Sequence, residues 1–139
     1  MATRIVGLFP GQGSQWVGMA RELLDDSTGF RHAVAQVDAV VGPRLHWTVA
    51  EELAADEEHS RLGGILALQV TLFAVEVGLA AVWAERGVRF DAVAGTSLGE
   101  LAAAQVAGIL TPAEALEVVI ARSELLEHHR PEGGTIVVN

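Results

Sequence analysis

Cysteine is absent from all 139 residues, so no disulfide, thiol nucleophile or cysteine-ligated zinc site can be built. Lysine is absent too: the nine basic residues are all arginine, set against 18 acidic ones. The formal net charge of −9 argues against general nucleic-acid binding, which needs clustered cations to neutralise phosphates. Aromatic residues make up only 5% of a chain that is 50% hydrophobic, so the core has to be assembled from Ala, Val and Leu. The N-terminus, Met1-Ala2-Thr3-Arg4, lacks a secretory apolar region with a cleavage site, which makes the cytoplasm the expected compartment. No internal repeat or low-complexity linker appears, and the length suits one domain able to bury roughly 70% of its unfolded surface.

The most informative stretch is Phe90 to Ala107, FDAVAGTSLGELAAAQVA. Its apolar run (Phe90, Ala92, Val93, Ala94) predicts a strand, and Leu98 to Ala107 has an Ala-rich helical pattern. Gly95-Thr96-Ser97-Leu98-Gly99 joins the two. Strand, Gly-x-Ser-x-Gly, helix is the layout of a nucleophile elbow, a tight turn that lifts a serine above the end of a sheet. Gly95 and Gly99 leave room for strand and helix to cross beside a strained residue. A helix beginning at Leu98 would aim free N–H groups and its positive dipole end at the serine oxygen, where charge develops in acyl transfer. The alternative is an ordinary strand-to-helix turn that contains a serine.

Upstream, Ile5 to Phe9 reads as a strand buried on both faces, followed by the Gly-rich loop Pro10-Gly11-Gln12-Gly13-Ser14-Gln15. That loop has neither the third glycine of a dinucleotide fingerprint nor the Gly-Lys-Ser/Thr of a phosphate loop. Helical spacing is expected from Trp16 through Leu24. A second helix, capped by Ser27 or Thr28, should turn Phe30, Val34, Val37, Val40 and Val41 inward and stop at Gly42-Pro43. Thr48-Val49-Ala50-Glu51 fits a capping box, and Asp56-Glu57-Glu58 reads as solvated surface, so no metal is expected.

Gly63 to Ala84 is the longest apolar segment, long enough to raise the question of a membrane span. Gln69, Thr71 and Glu76 in its middle argue against one, since a charge there costs roughly 2.5 kcal/mol or more. It is expected to be the central buried helix, closed by Arg86-Gly87. Thr111-Pro112-Ala113-Glu114 starts a further helix with an inward stripe of Leu116, Val119, Ile120, Ser123 and Leu126. Arg122 lies beside that stripe; position alone leaves it open between an ion pair with Glu117, a partner for the helix dipole, and a ligand contact. Thr135 to Val138 reads as the start of a strand. Strands alternating with helices argue for an α/β fold with a parallel sheet, but the strands are too few to complete it.

Taken together, these residues resemble the malonyl-CoA:acyl-carrier-protein transacylases, most of all the acyltransferase domains of modular polyketide synthases. The resemblance is carried by Phe9-Pro10-Gly11-Gln12-Gly13-Ser14-Gln15-Trp16-Val17-Gly18-Met19-Ala20, by Leu68 to Val75 (LQVTLFAV), by Ala94 to Glu100 (AGTSLGE), and by Ile120-Ala121-Arg122-Ser123. It implies that residues 1–133 are the N-terminal part of the large, hydrolase-like subdomain, with an incomplete parallel sheet flanked by helices. Residues 134–139 would be the first strand of a small subdomain, where the chain is truncated.

The same resemblance implies that Ser97 is acylated by an acyl-CoA, malonyl or methylmalonyl, and delivers the group to the phosphopantetheine thiol of an acyl carrier protein. Backbone N–H groups of Gln12 and Leu98 would form the oxyanion hole, and Arg122 would bind the substrate carboxylate. No cofactor bound by the chain itself is implied. The chain departs from the family pattern at Thr96, where a histidine is usual, a change that bears on substrate choice. The family's catalytic histidine lies in a part of the domain beyond this chain. None of His32, His46, His59, His128 and His129 has a motif-based claim to replace it. The expected partners are therefore a C-terminal acyltransferase half, or a second copy through self-association. The other readings are a non-catalytic remnant that docks on a polyketide synthase, and an unrelated α/β serine hydrolase, which would want an HGGG-type loop that the chain lacks.

Overall fold

A computed structural model describes residues 4–129, as two parallel strands and six helices in an α/β arrangement. Strand β1 (Val6–Phe9) is followed by α1 (Arg21–Asp26), α2 (Thr28–Leu45), α3 (Val49–Ala54) and α4 (Ile65–Glu85). Strand β2 (Ala92–Gly95) then leads directly into α5 (Leu98–Val106), and α6 (Pro112–His128) follows. β1 pairs with β2 in parallel, with Val6 opposite Ala92 and Phe9 opposite Gly95. This register sets the Gly-rich loop after β1 beside the turn after β2. The expected strand at 134–139 lies outside the described residues, as does the small subdomain it would begin.

α4 occupies the centre, as its sequence predicts. By length and composition it could cross a membrane, but 67% of its most apolar window is buried within the fold. It packs against α2, α5 and α6 through Val70, Phe73, Ala74 and Val77, joined by Phe30, Val37, Leu98, Ala102, Leu116 and Ile120 in one continuous core. Both capping boxes form: Thr48 and Thr111 each accept from the N–H of the Glu three residues on, and that Glu returns a bond to the cap. Ser27, the cap of α2, also donates to Glu85 Oε2 at 2.6 Å, tying the start of α2 to the end of α4.

Four local expectations are corrected. The helix expected from Trp16 begins only at Arg21, because Gly18 (φ 84°) and Ala20 (φ 57°) take left-handed conformations that a helix cannot continue through; Trp16 is 63% exposed. α2 runs through Gly42-Pro43 to Leu45. Its last turn is held by Leu45 against the core and by Arg44 paired with Glu117 at 2.9 Å, which offset the bond that proline removes. Leu126, expected inward, is exposed near the end of α6. β1 is buried on one face only: Phe9 is inside while Val6 and Leu8 are 55% and 77% exposed.

That open sheet face has a measurable consequence. Val6 and Leu8 alternate onto that face of β1 and leave neighbouring apolar side chains in water. An unpaired strand edge is also a template for another chain. Sedimentation velocity across micromolar concentrations should therefore show association rather than a concentration-independent monomer.

Two buried glutamates behave differently. Glu52 is 2% exposed but accepts from Ser60 Oγ at 2.6 Å and from the Arg61 N–H at 2.9 Å. Glu76, 5% exposed in mid-α4, has no partner for either carboxylate oxygen among the described residues, and burial pushes its carboxyl up to about 7. Below about pH 4.5 it is protonated both folded and unfolded; as the pH rises through 7 the folded chain must ionise it without a partner. Stability should thus fall by about 3 kcal/mol between those limits on account of this one group. Urea unfolding across the range should show that slope, and Glu76→Gln should remove it.

Candidate active site

The turn between β2 and α5 has the strained geometry the sequence predicts. Ser97 sits at φ 57°, ψ −115°, a conformation that costs about 1–3 kcal/mol for a residue with a side chain. The glycines on either side permit it by absence of a Cβ. One added at Gly95 would lie 2.1 Å from the Gly99 carbonyl oxygen, and one at Gly99 would lie 2.1 Å from that of Phe9. The Thr96 N–H donates to the Phe9 carbonyl at 3.0 Å, which ties the turn to the end of β1. Gly11 comes so close to the turn that its Cβ would stand 3.4 Å from that of Ser97. Leu98 is buried and anchors the start of α5, while Ser97 itself faces solvent. As the first residue of α5, Leu98 has an N–H with no acceptor within the helix.

Arg122, half-buried on α6, reaches this serine: its Nη2 donates to Ser97 Oγ at 2.6 Å. The ion pair with Glu117 that position alone allows does not form, since Glu117 is taken by Arg44. Among the described residues Arg122 has no carboxylate partner at all. Its Nη1 makes a long 3.4 Å contact with Gln69 Oε1, and the Gln69 amide nitrogen donates to Gln12 Oε1 at 3.1 Å. Ser97, Arg122 and Gln12, which lie far apart in sequence, are thus linked through one amide that is 1% exposed. Ser123, fully buried, touches the same Gln69 oxygen at 3.4 Å and donates to the Val119 carbonyl at 2.7 Å.

Gln69 is the residue to which the sequence alone gives no role at this site. The signal is present as an amide inside an apolar helix, where it reads only as evidence against a membrane span. A buried amide needs partners, and those partners turn out to be the site.

The histidines lie elsewhere. His59 Nδ1 meets Asp56 Oδ1 at 2.6 Å, His128 Nδ1 meets the Glu124 carbonyl at 2.8 Å, and His46 ends α2 in a left-handed conformation. His32 lines a separate groove with Gln36 and Phe73. Among the described residues the hydrogen bond to Ser97 Oγ comes from Arg122, not from an imidazole. A larger groove of about 830 Å³, between β2, α5 and the end of α4, contains neither Ser97 nor Arg122.

The chain that carries this exposed serine and its guanidinium neighbour is similar to known proteins along nearly its whole length. The family model described as "Acyl transferase domain" matches residues 6–139. An erythronolide synthase of Saccharopolyspora erythraea is 42% identical over 134 residues, which are 96% of this chain and 4% of that protein. A spectinabilin polyketide synthase system protein of Streptomyces orinoci is 42% identical over 135 residues, 97% of this chain and 7% of its own. Among solved structures, the loading acyltransferase of the avermectin modular polyketide synthase superposes with a TM-score of 0.84 at 44% identity, over 89% of this chain and 39% of that one. The malonyl-CoA:ACP transacylase of Synechocystis sp. PCC 6803 does so with a TM-score of 0.77 at 34% identity, over 91% of this chain and 41% of that one. This chain therefore spans well under half the length of each of these relatives. A family model that takes in nearly the whole sequence, with that degree of identity, makes the chain a member of the acyl transferase domain family, of the kind found in modular polyketide synthases.

Proposed function

We propose that Ser97 takes an acyl group, malonyl or methylmalonyl, from coenzyme A and passes it to the phosphopantetheine thiol of an acyl carrier protein. The observation that carries this reading is the 2.6 Å contact between the elbow serine and a cation that has no carboxylate partner among the described residues. In the first half-reaction the Ser97 oxygen attacks the thioester carbonyl and its proton passes to a general base. The carbon–sulfur bond breaks, and coenzyme A leaves as the thiol once protonated. The carrier's thiol then attacks the acyl-serine ester and regenerates Ser97.

The N–H groups of Gln12 and Leu98 are suited to the oxyanion formed in each step, each such donor being worth about 3 kcal/mol. Gln69 would keep the Gln12 loop in place through its 3.1 Å bond. The planar fork of Arg122 suits the free carboxylate of a malonyl unit, which it can bind with two parallel hydrogen bonds. The base would come from a C-terminal part of the domain, supplied by a partner chain or by further sequence. Coenzyme A enters only as a substrate, phosphopantetheine belongs to the carrier, and the setting proposed is cytoplasmic.

Arg122 offers the direct test. In a complex competent for transfer, Arg122→Ala should lose malonyl transfer about 100-fold more than acetyl transfer, the worth of a charge-assisted pair. Arg122→Lys should also be impaired, because an ammonium cannot reproduce the fork. Equal losses for acetyl- and malonyl-CoA would make Arg122 structural and end the assignment of a dicarboxylic substrate.

A further inference from the structure

We propose that Arg122 is a latch on Ser97: with no substrate present its guanidinium engages the nucleophile, and the free carboxylate of the incoming acyl group draws it away. The inference rests on the carboxylate-binding reading of Arg122 and adds an order of events to it.

The Nη2–Oγ contact of 2.6 Å is a close hydrogen bond from a charged donor to a neutral hydroxyl. It directs a lone pair of the serine oxygen at a cation and sets that cation against the reacting atom. Meanwhile the rest of the fork is loosely held. Its contact with Gln69 Oε1 is 3.4 Å, and that oxygen is shared with Ser123 at the same distance. No carboxylate among the described residues competes for it. The guanidinium therefore has one firm partner, the hydroxyl, and a neutral oxygen is a weaker partner for a guanidinium than a bidentate carboxylate.

The Ser97 main chain cannot move aside, so on the serine side only rotation about χ1 can part the two groups. Its backbone is fixed by the turn, and Gly95 and Gly99 are packed against carbonyl groups on either side. Arg122, at the end of a flexible side chain, is the partner with more freedom to shift. A malonyl-type acyl group thus carries its own means of freeing the nucleophile, whereas an acetyl group does not. Discrimination would then come partly from the rate at which the serine becomes available, in addition to ground-state binding.

The competition can be measured on the whole chain without any base. Calorimetric titration with sodium malonate should show Ser97→Ala binding about tenfold more tightly than the unmodified chain, because no hydroxyl competes for the guanidinium. Arg122→Ala should not bind malonate. Should Arg122→Ala fail to fold by circular dichroism, Arg122→Gln takes its place. If Ser97→Ala binds malonate no better than the unmodified chain while the Arg122 variant loses it, carboxylate binding stands and the latch is overturned. If the Arg122 variant binds as well as the unmodified chain, or none of the three binds, the carboxylate reading fails and takes the latch with it. A fluorophosphonate, which is neutral and has no carboxylate, gives a second readout. Labelling of Ser97 should be faster in Arg122→Gln, by about tenfold, if the latch holds. Slower labelling would mean that Arg122 activates the serine by favouring its alkoxide, and would overturn the latch whatever malonate does.

Discussion

Replacing Ser97 with alanine is expected to abolish acyl transfer, with a loss of about six orders of magnitude in turnover where the rest of the machinery is present, as for the nucleophile of a serine protease. Ser97 stands on the elbow, and the chain holds no cysteine to take over as nucleophile. After incubation with malonyl-CoA, supplemented if necessary by the C-terminal part of a related domain, mass spectrometry of peptides should place the acyl group on Ser97 alone. Acylation that persists in Ser97→Ala would overturn the assignment. Robust turnover by the unsupplemented chain would show that one of its own groups serves as base, and His128 and His129 would be the first to replace.

Gly99→Ala should be among the most damaging single substitutions for stability, at about 3 kcal/mol or more. The new Cβ would lie 2.1 Å from the Phe9 carbonyl oxygen and 2.4 Å from that of Pro10. Neither obstacle is a side chain that can rotate away; one ends β1 and the other follows it directly, so strand and helix must separate. Stability of the whole domain is only about 5–15 kcal/mol, so such a loss is a large share of it. The separation would also shift Ser97 against Arg122, and a misplacement of about 1 Å can cost about 100-fold in rate. Gly63→Ala is the control: nothing lies within 4 Å of its Cβ position, and it should change stability by less than about 0.5 kcal/mol. Urea denaturation of the two variants would decide the point. Equal midpoints would show that the close approach at Gly99 is not required for folding.

The elements that could be read from the sequence are those whose cause is local. Thr48 with Glu51 and Thr111 with Glu114 are capping boxes because the partners are three residues apart, within reach on one helical turn. The elbow belongs to the same class: a strand, two glycines spaced around a serine and an alanine-rich helix specify a turn wherever they stand. α4 could be recognised as central because it is apolar on nearly every side. Where the expected end of α2 failed, the deciding force was distant. Arg44 finds Glu117 and Glu124 across 73 and 80 positions of chain, and no periodicity around Pro43 indicates that the helix continues.

By itself the sequence determined the α/β class, the serine on its turn, the central helix and, through four motifs, the family. Each depends on spacing along the chain, which residue order records directly. The tertiary structure decided what Arg122 touches, that Gln69 links it to Gln12, that Glu76 is buried with no partner among the described residues, and that Val6 and Leu8 on one face of β1 stay exposed. These depend on which groups meet once α4, α5 and α6 pack together. A guanidinium chooses its partner by distance and competition in three dimensions: Glu117 is five residues away along α6, but it is the serine on another element that lies 2.6 Å off.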